Sequence, residues 1–165
     1  MYIVIRYMYM EKSVTLADYE SLAELRHQIR RFLHFSEQAA REAGLEPRQH
    51  QLMLALKGLP EGTRPTIGEL AERLQIQHHS AVELVNRLAA GGYVRRHRGG
   101  EDRREVLLSL APKGEKILRE LSLHHKAELR TRGPALVAAL KRAMQTGKGS
   151  SGIAAEACST SRRIK

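Results

Sequence analysis

Residues 77–88 read QHHSAVELVNRL, and their side chains are of the types that read nucleic-acid bases. Ser80 can serve either base type, Asn86 has the two groups that pair adenine bidentately, Val82 suits a thymine methyl and Glu83 can accept from a cytosine amine. His78 and His79 are donors for phosphate or base edge, and Arg87 stands beside Glu83 as a neighbouring base. Ala81, Leu84, Val85 and Leu88 fall at i, i+3, i+4 and i+7, which is one face of an α-helix. The other face therefore carries His79, Ser80, Val82, Glu83, Asn86 and Arg87. An ordinary amphipathic helix of a small helical protein would show the same stripe, so the neighbouring sequence has to decide.

A second group follows at once. Arg95, Arg96, Arg98, Arg103 and Arg104 crowd a stretch whose only acids are Glu101 and Asp102. A solubilising surface intersperses its signs more evenly. Arginines on a hairpin tip suit the minor groove of DNA, where narrow A·T-rich tracts attract them.

The elements that would position these groups are legible. From Leu16 to Gly44 a helical stripe runs through Leu22, Leu25, Ile29, Phe32 and Leu33, with Arg26, Arg30, Arg31 and Glu37 off it. Gly44 stops that helix and Pro47 opens the next, over about 47–58, with Leu52, Leu54, Ala55 and Leu56 as its apolar residues. LPEGTRP (59–65) is a turn-rich loop. Thr66 then reads as an N-cap with Glu69 three residues on, a capping box for a short helix burying Ile67, Leu70, Ala71 and Leu74. Only Gln75 to Gln77 separate this helix from the opening stretch, which makes the pair a helix-turn-helix. Gly91 and Gly92 end the second helix. The period then changes: Tyr93–His97 and Glu105–Leu110 read as strands, with Val106, Leu108 and Leu110 on one face, and the arginine-rich turn between them makes a hairpin, or wing.

Pro112 opens a further helix with Ile117, Leu118, Leu121 and Leu129 on its apolar side. Gly133-Pro134 is expected to break it, leaving PALVAALKRAM as a last short helix. The small, polar residues from Gln145 onward read as a disordered tail. The opening MYIVIRYMYM is apolar and β-prone, is too short for a signal peptide and lacks a small-residue cleavage site. With Met8 and Met10 as alternative starts, it is assigned no function. The reading is thus a mainly α fold with a small β-hairpin wing. Its parts are an N-terminal extension (1–15), a dimerisation helix (16–46), a winged helix-turn-helix DNA-binding domain (47–111), C-terminal dimerisation helices (112–145) and a tail (146–165).

The formal charge of +10 over 165 residues favours a polyanionic partner, although ribosomal and membrane-surface proteins share that bias. The single cysteine, Cys158, excludes a disulfide framework or cysteine-based zinc site within one chain and fits a reducing cytosol. No run approaches the ~18 apolar residues of a membrane span. His78-His79 and His124-His125 are adjacent pairs whose members point ~100° apart on a helix, so neither chelates one ion. There is no HExxH, GxSxG or Walker loop: TGKGSS lacks the upstream glycine and the strand context. An enzyme, a metal and a cofactor are not expected.

TIGELAERLQI, AVELVNRLAAGGYVRR and EDRREVLLSLAPKG, in that order and spacing, resemble the MarR family of winged-helix regulators over about residues 47–114. With the long first helix and the C-terminal helical region, the resemblance extends over about 16–145. It implies that Asp102 braces the wing while Arg104 enters the minor groove, and that a homodimer binds a short pseudo-palindrome. It also implies release by a small phenolic or other ligand. Two departures stand out. Ala111 replaces the threonine common in the family's turn before the C-terminal helix, at a cost of ~1 kcal/mol for a lost N-cap. Glu83 puts an acid where many members place a basic or small polar residue.

A dimer also follows physically, because the apolar stripes of the first helix and of residues 112–144 are too long for a winged domain of roughly 70 residues to bury. No ligand residues are assigned: His27, Arg30 and His34 share a helical face and would meet an anionic ligand, or be solvated or cross-dimer contacts. The expectation is a sequence-specific regulator of double-stranded DNA, a repressor in a bacterial or archaeal cytosol and nucleoid-associated. The alternative is a sequence-tolerant architectural DNA binder.

Overall fold

Thr15 opens the first helix with a reciprocal cap: its hydroxyl and backbone N–H donate to the Asp18 carboxylate at 2.7 and 2.8 Å, and the Asp18 N–H returns to the hydroxyl. The computed structural model describes residues 14–99 and 106–145. Its elements are α1 (Leu16–Glu42), α2 (Pro47–Lys57), α3 (Ile67–Leu74), α4 (His78–Ala90), β1 (Val94–Arg98), β2 (Val106–Leu110) and α5 (Pro112–Gln145). The N-terminal extension before Val14, the wing residues Asp102, Arg103 and Arg104, and the tail with Cys158 lie outside the described residues.

The chain divides into two compact units, Arg30–Gly133 and Met1–Ile29 with Pro134–Lys165; in the second, residues 14–29 and 134–145 are described. The larger unit is built on one core. Leu52, Met53 and Leu56 of α2, Leu70 of α3, and Leu84, Val85 and Leu88 of α4 meet Val94 and Leu108 of the hairpin and Leu118 and Leu121 of α5. All four stripe residues of α4 are buried, as their spacing requires. In α2 the expected inward residue Leu54 instead faces solvent, while Met53 and His50 turn inward.

Three helices end in the same way. After α1, Leu45 N–H reaches the Ala40 carbonyl and Gly44 N–H that of Arg41; after α3, Ile76 and Gln75 repeat the pattern on Ala71 and Glu72; after α4, Tyr93 and Gly92 do so on Leu88 and Ala89. Each is a Schellman turn, which needs one left-handed residue. That residue is Gly44 (φ 77), Gln75 (φ 53) and Gly92 (φ 74) respectively; Gly91 stays right-handed, so Gly92 alone makes the turn into the wing.

Thr66 caps α3 by accepting from the Glu69 N–H at 3.2 Å. The Glu69 carboxylate is turned toward Arg73, 2.7 Å away, rather than back to the cap. The hairpin is antiparallel, with Val94 opposite Leu110 and Arg98 opposite Val106. It gains a third edge that periodicity did not reveal: Thr66 bridges to Leu107, and Leu108 N–H donates to the Pro65 carbonyl at 2.8 Å.

The expected break at Gly133-Pro134 does not occur, because α5 runs through it as one helix with Pro134 inside. Proline removes one intrahelical hydrogen bond but its fixed φ is itself helical. The residues that follow, Ala135, Leu136, Ala138, Ala139 and Leu140, are mostly strong helix formers that carry the helix onward.

Candidate nucleic-acid interface

With Ala81, Leu84, Val85 and Leu88 inside, α4 has its polar face outward. His78, His79, Glu83, Asn86 and Arg87 are exposed, and Ser80 and Val82 are half-buried. The residues singled out on this helix therefore share one accessible surface. Its acid is not isolated: Arg87 Nη2 lies 3.7 Å from the Glu83 carboxylate, one helical turn on. At this exposure such a pair adds little stability, but it offsets part of the acid's repulsion toward an anion.

The wing is joined to this helix by the Gly92 turn, so β1 leaves directly from the end of α4. Arg95, Arg96, His97 and Arg98 are all exposed along β1. His97 Nε2 meets the Ser109 hydroxyl across the hairpin, and Arg96 donates from Nη2 to the side-chain carbonyl of Asn86. The second of these contacts ties the wing strand to the polar face of α4. Neither was foreseen, because each joins residues on different elements.

The base of the hairpin is held by the start of α5. Ala111 is buried and donates its N–H to the Tyr93 carbonyl at 2.9 Å, so the position lacking the family's threonine is anchored through its backbone. Lys113 donates to the Gly91 carbonyl at 2.8 Å, and its Nζ sits 4.2 Å from the centre of the Tyr93 ring. Gly114 is pressed so closely on the Tyr93 backbone that an added Cβ would stand 2.2 Å from its carbonyl oxygen. Lys57 of α2 and Glu115 of α5 pair at 2.7 Å. That ammonium holds the Glu115 carboxyl below its ordinary range.

A second polar cluster lies inside the larger unit. His50, only 3 % exposed, stacks on His125 with ring centres 5.0 Å apart and planes at 16°. His125 Nδ1 faces the Leu121 carbonyl, which can only accept, so this nitrogen carries a proton; Nε2 meets the Ser36 hydroxyl at 2.7 Å. Phe32 and Phe35 present edge-to-face contacts to the same ring. Burial, aided by the charge His125 can carry, lowers the His50 pKa from 6.5 to about 4. No sequence pattern singled out His50, and the expected inward residue of α2 was Leu54 rather than Met53. His27, Arg30 and His34 are exposed on α1. Among the described residues no group of three His, Cys, Asp or Glu is arranged to hold a metal ion. No described helix is long and apolar enough to cross a membrane.

Comparison with known proteins agrees with this architecture. Residues 43–105 match the model of the MarR family. The chain is 27 % identical over 121 residues to YsmB of Bacillus subtilis, an uncharacterized HTH-type transcriptional regulator, covering 71 % of this chain and 81 % of that protein. AbsC, a MarR family transcriptional regulator from Streptomyces coelicolor, superimposes with a TM-score of 0.65 at 21 % identity, over 81 % of this chain and 93 % of AbsC. A mutant of S. aureus MepR bound to an oligodeoxyribonucleotide superimposes with a TM-score of 0.58 at 16 % identity, over 81 % and 99 % of the two chains. At such identities the structural likeness speaks for the winged-helix fold.

Proposed function

We propose that the chain is a sequence-specific transcriptional regulator of double-stranded DNA of the MarR type, a reading supported by the match of residues 43–105 to the model of that family. The observation that carries this reading is the exposed polar face of α4, continued through the Gly92 turn and the Arg96–Asn86 hydrogen bond into a strand whose arginines are exposed. A recognition helix of this kind lies in the major groove with its N-terminal residues against base edges. In that pose His78 and His79 meet phosphate or base, and Ser80, Val82 and Glu83 read bases, with Arg87 restraining the acid. The wing follows the backbone with Arg96, Arg98 and Arg103, and Arg104, braced by Asp102, enters the minor groove. The MepR mutant that shares this fold is itself bound to an oligodeoxyribonucleotide.

The regulator works as a homodimer on a pseudo-palindromic operator. In the smaller unit Leu16 and Met144 are each 73 % exposed, and Tyr19, Leu22, Val137 and Leu140 are exposed as well. Apolar surface of that extent wants a partner, and a second copy is the simplest. We further propose that it acts as a repressor, released from DNA by a small ligand that favours the unbound form.

The test is fluorescence anisotropy on the upstream DNA of its own gene and on a scrambled duplex, across a salt series, for the wild type and Arg104→Ala. Phosphate contacts weaken steeply with salt whereas base readout persists. A preference of about a hundredfold, or ~3 kcal/mol, is expected for the native duplex. Arg104→Ala should weaken both duplexes. Loss of affinity for both duplexes in parallel, followed by no enriched sequence in a genome-wide selection, would make the chain an architectural binder instead.

A further inference from the structure

Asn86 has the functional groups to pair adenine, but its carbonyl oxygen is already engaged. Arg96, in the middle of β1, donates to it from Nη2. A guanidinium has donors only, so the orientation of the amide follows: the oxygen faces the wing and the NH2 faces away. Bidentate pairing with adenine needs the oxygen and the NH2 turned together toward one base edge. Asn86 also sits past the middle of α4, away from the N-terminal turns that lead into a groove.

We propose that Asn86 is a positioning residue: with Arg96 it clasps the wing strand to the recognition helix and sets the angle between the two DNA-contacting surfaces. The proposal rests on the DNA-binding reading above. Without the clasp, β1 is tied to α4 by the Gly92 turn and by the contacts of Tyr93 at the base of the hairpin. The hairpin is also held on its β2 side, by the Thr66–Leu107 bridge and the Leu108–Pro65 hydrogen bond, so the clasp is what fixes the β1 side to α4 beyond Tyr93. The clasp acts at Arg96, two residues before Arg98, the last residue of the strand. It therefore restrains the part of the hairpin nearest the arginine-rich tip. Arg96 on this view spends one arm of its guanidinium on Asn86 and keeps the other for phosphate.

The test combines a double-mutant cycle with base-preference profiling. Wild type, Asn86→Ala, Arg96→Ala, the double variant and Asn86→Asp are titrated on the preferred duplex, and each is used to select sequences from a random duplex pool. Asn86→Asp retains an acceptor for Arg96 and removes the NH2 that adenine N7 would need. The clasp predicts that Asn86→Ala weakens binding by about tenfold and that the double variant is no weaker than Arg96→Ala. It also predicts that Asn86→Asp selects the same sequences as the wild type.

Three outcomes overturn it. Additive single losses would show that the two residues act separately. A preference altered at one base position in both Asn86 variants would make Asn86 a reader. Loss of circular dichroism in Asn86→Ala alone would make the contact a requirement of folding. A wild type that prefers no duplex would instead remove the regulator reading on which the proposal depends.

Discussion

Acid should destabilise this protein through His50 in a way that can be isolated and measured. The ring is 3 % exposed and stacked on His125, and its pKa falls from 6.5 to about 4. The unfolded chain therefore takes up a proton at His50 before the folded chain does. In the window between those two values stability falls as pH falls, and above it the group contributes no pH dependence. Linkage with these two pKa values gives a loss of about 2 kcal/mol by pH 5 and about 3 kcal/mol by pH 4, relative to pH 7. Below the folded pKa the loss levels off, because both states are then protonated.

Carboxylates also titrate in this range, so the wild-type curve alone would not identify the cause. His50→Leu supplies the reference: it puts an apolar side chain of related size in the same place and removes the titration. Urea unfolding at fixed protein concentration, at pH 7, 5 and 4, should show the wild type losing about 2 and then 3 kcal/mol more than the variant. The variant itself will be destabilised at pH 7, by about 1–3 kcal/mol for altered packing, but that offset is the same at every pH. Curves that run parallel from pH 7 to 4 would refute the reasoning, since they would mean that His50 is as easily protonated folded as unfolded.

Three further predictions concern how the elements of the proposed interface and the helix after them are held. Gly114→Ala drives a methyl against the Tyr93 backbone and should cost about 3 kcal/mol by urea midpoint. Gly133→Ala has open space in the same helix and should instead stabilise by about 0.5–1 kcal/mol. Thr66→Ala removes the acceptor for Glu69 N–H and should lower stability by about 1 kcal/mol, whereas Thr66→Ser should recover most of it. Equal effects of the two Thr66 substitutions would show that the cap is not what the side chain contributes.

The elements were legible because their signals are local. The repeat that buries Ala81, Leu84, Val85 and Leu88 is visible within one helix, and so are the cap at Thr66 and the glycines after α4. The errors were also local, where two rules compete. In LMLAL every residue is apolar, so period alone cannot say that Met53 rather than Leu54 turns inward; packing against α3, α4 and β2 decides. At Gly133-Pro134 breaker chemistry met a run of strong helix formers, and the run prevailed. Asn86–Arg96 and His50–His125 had no local signal at all, because each pair forms only when separate elements dock.

That division bears on how the proposed interface would discriminate among sequences. The positive charge that draws a polyanion is spread through composition and carries no sequence information. Discrimination has to come from side chains held at fixed positions, and here these include an acid. In the proposed pose Glu83 would oppose the phosphate field, with Arg87 close enough to offset part of that cost. An acid kept on a DNA-facing helix costs affinity on every duplex and returns some of it only where a cytosine amine is available to it. The same side chain that weakens non-specific binding would then widen the gap between the operator and other DNA, which is the quantity a regulator needs. An architectural binder gains nothing from such a residue, and this difference favours the sequence-specific reading.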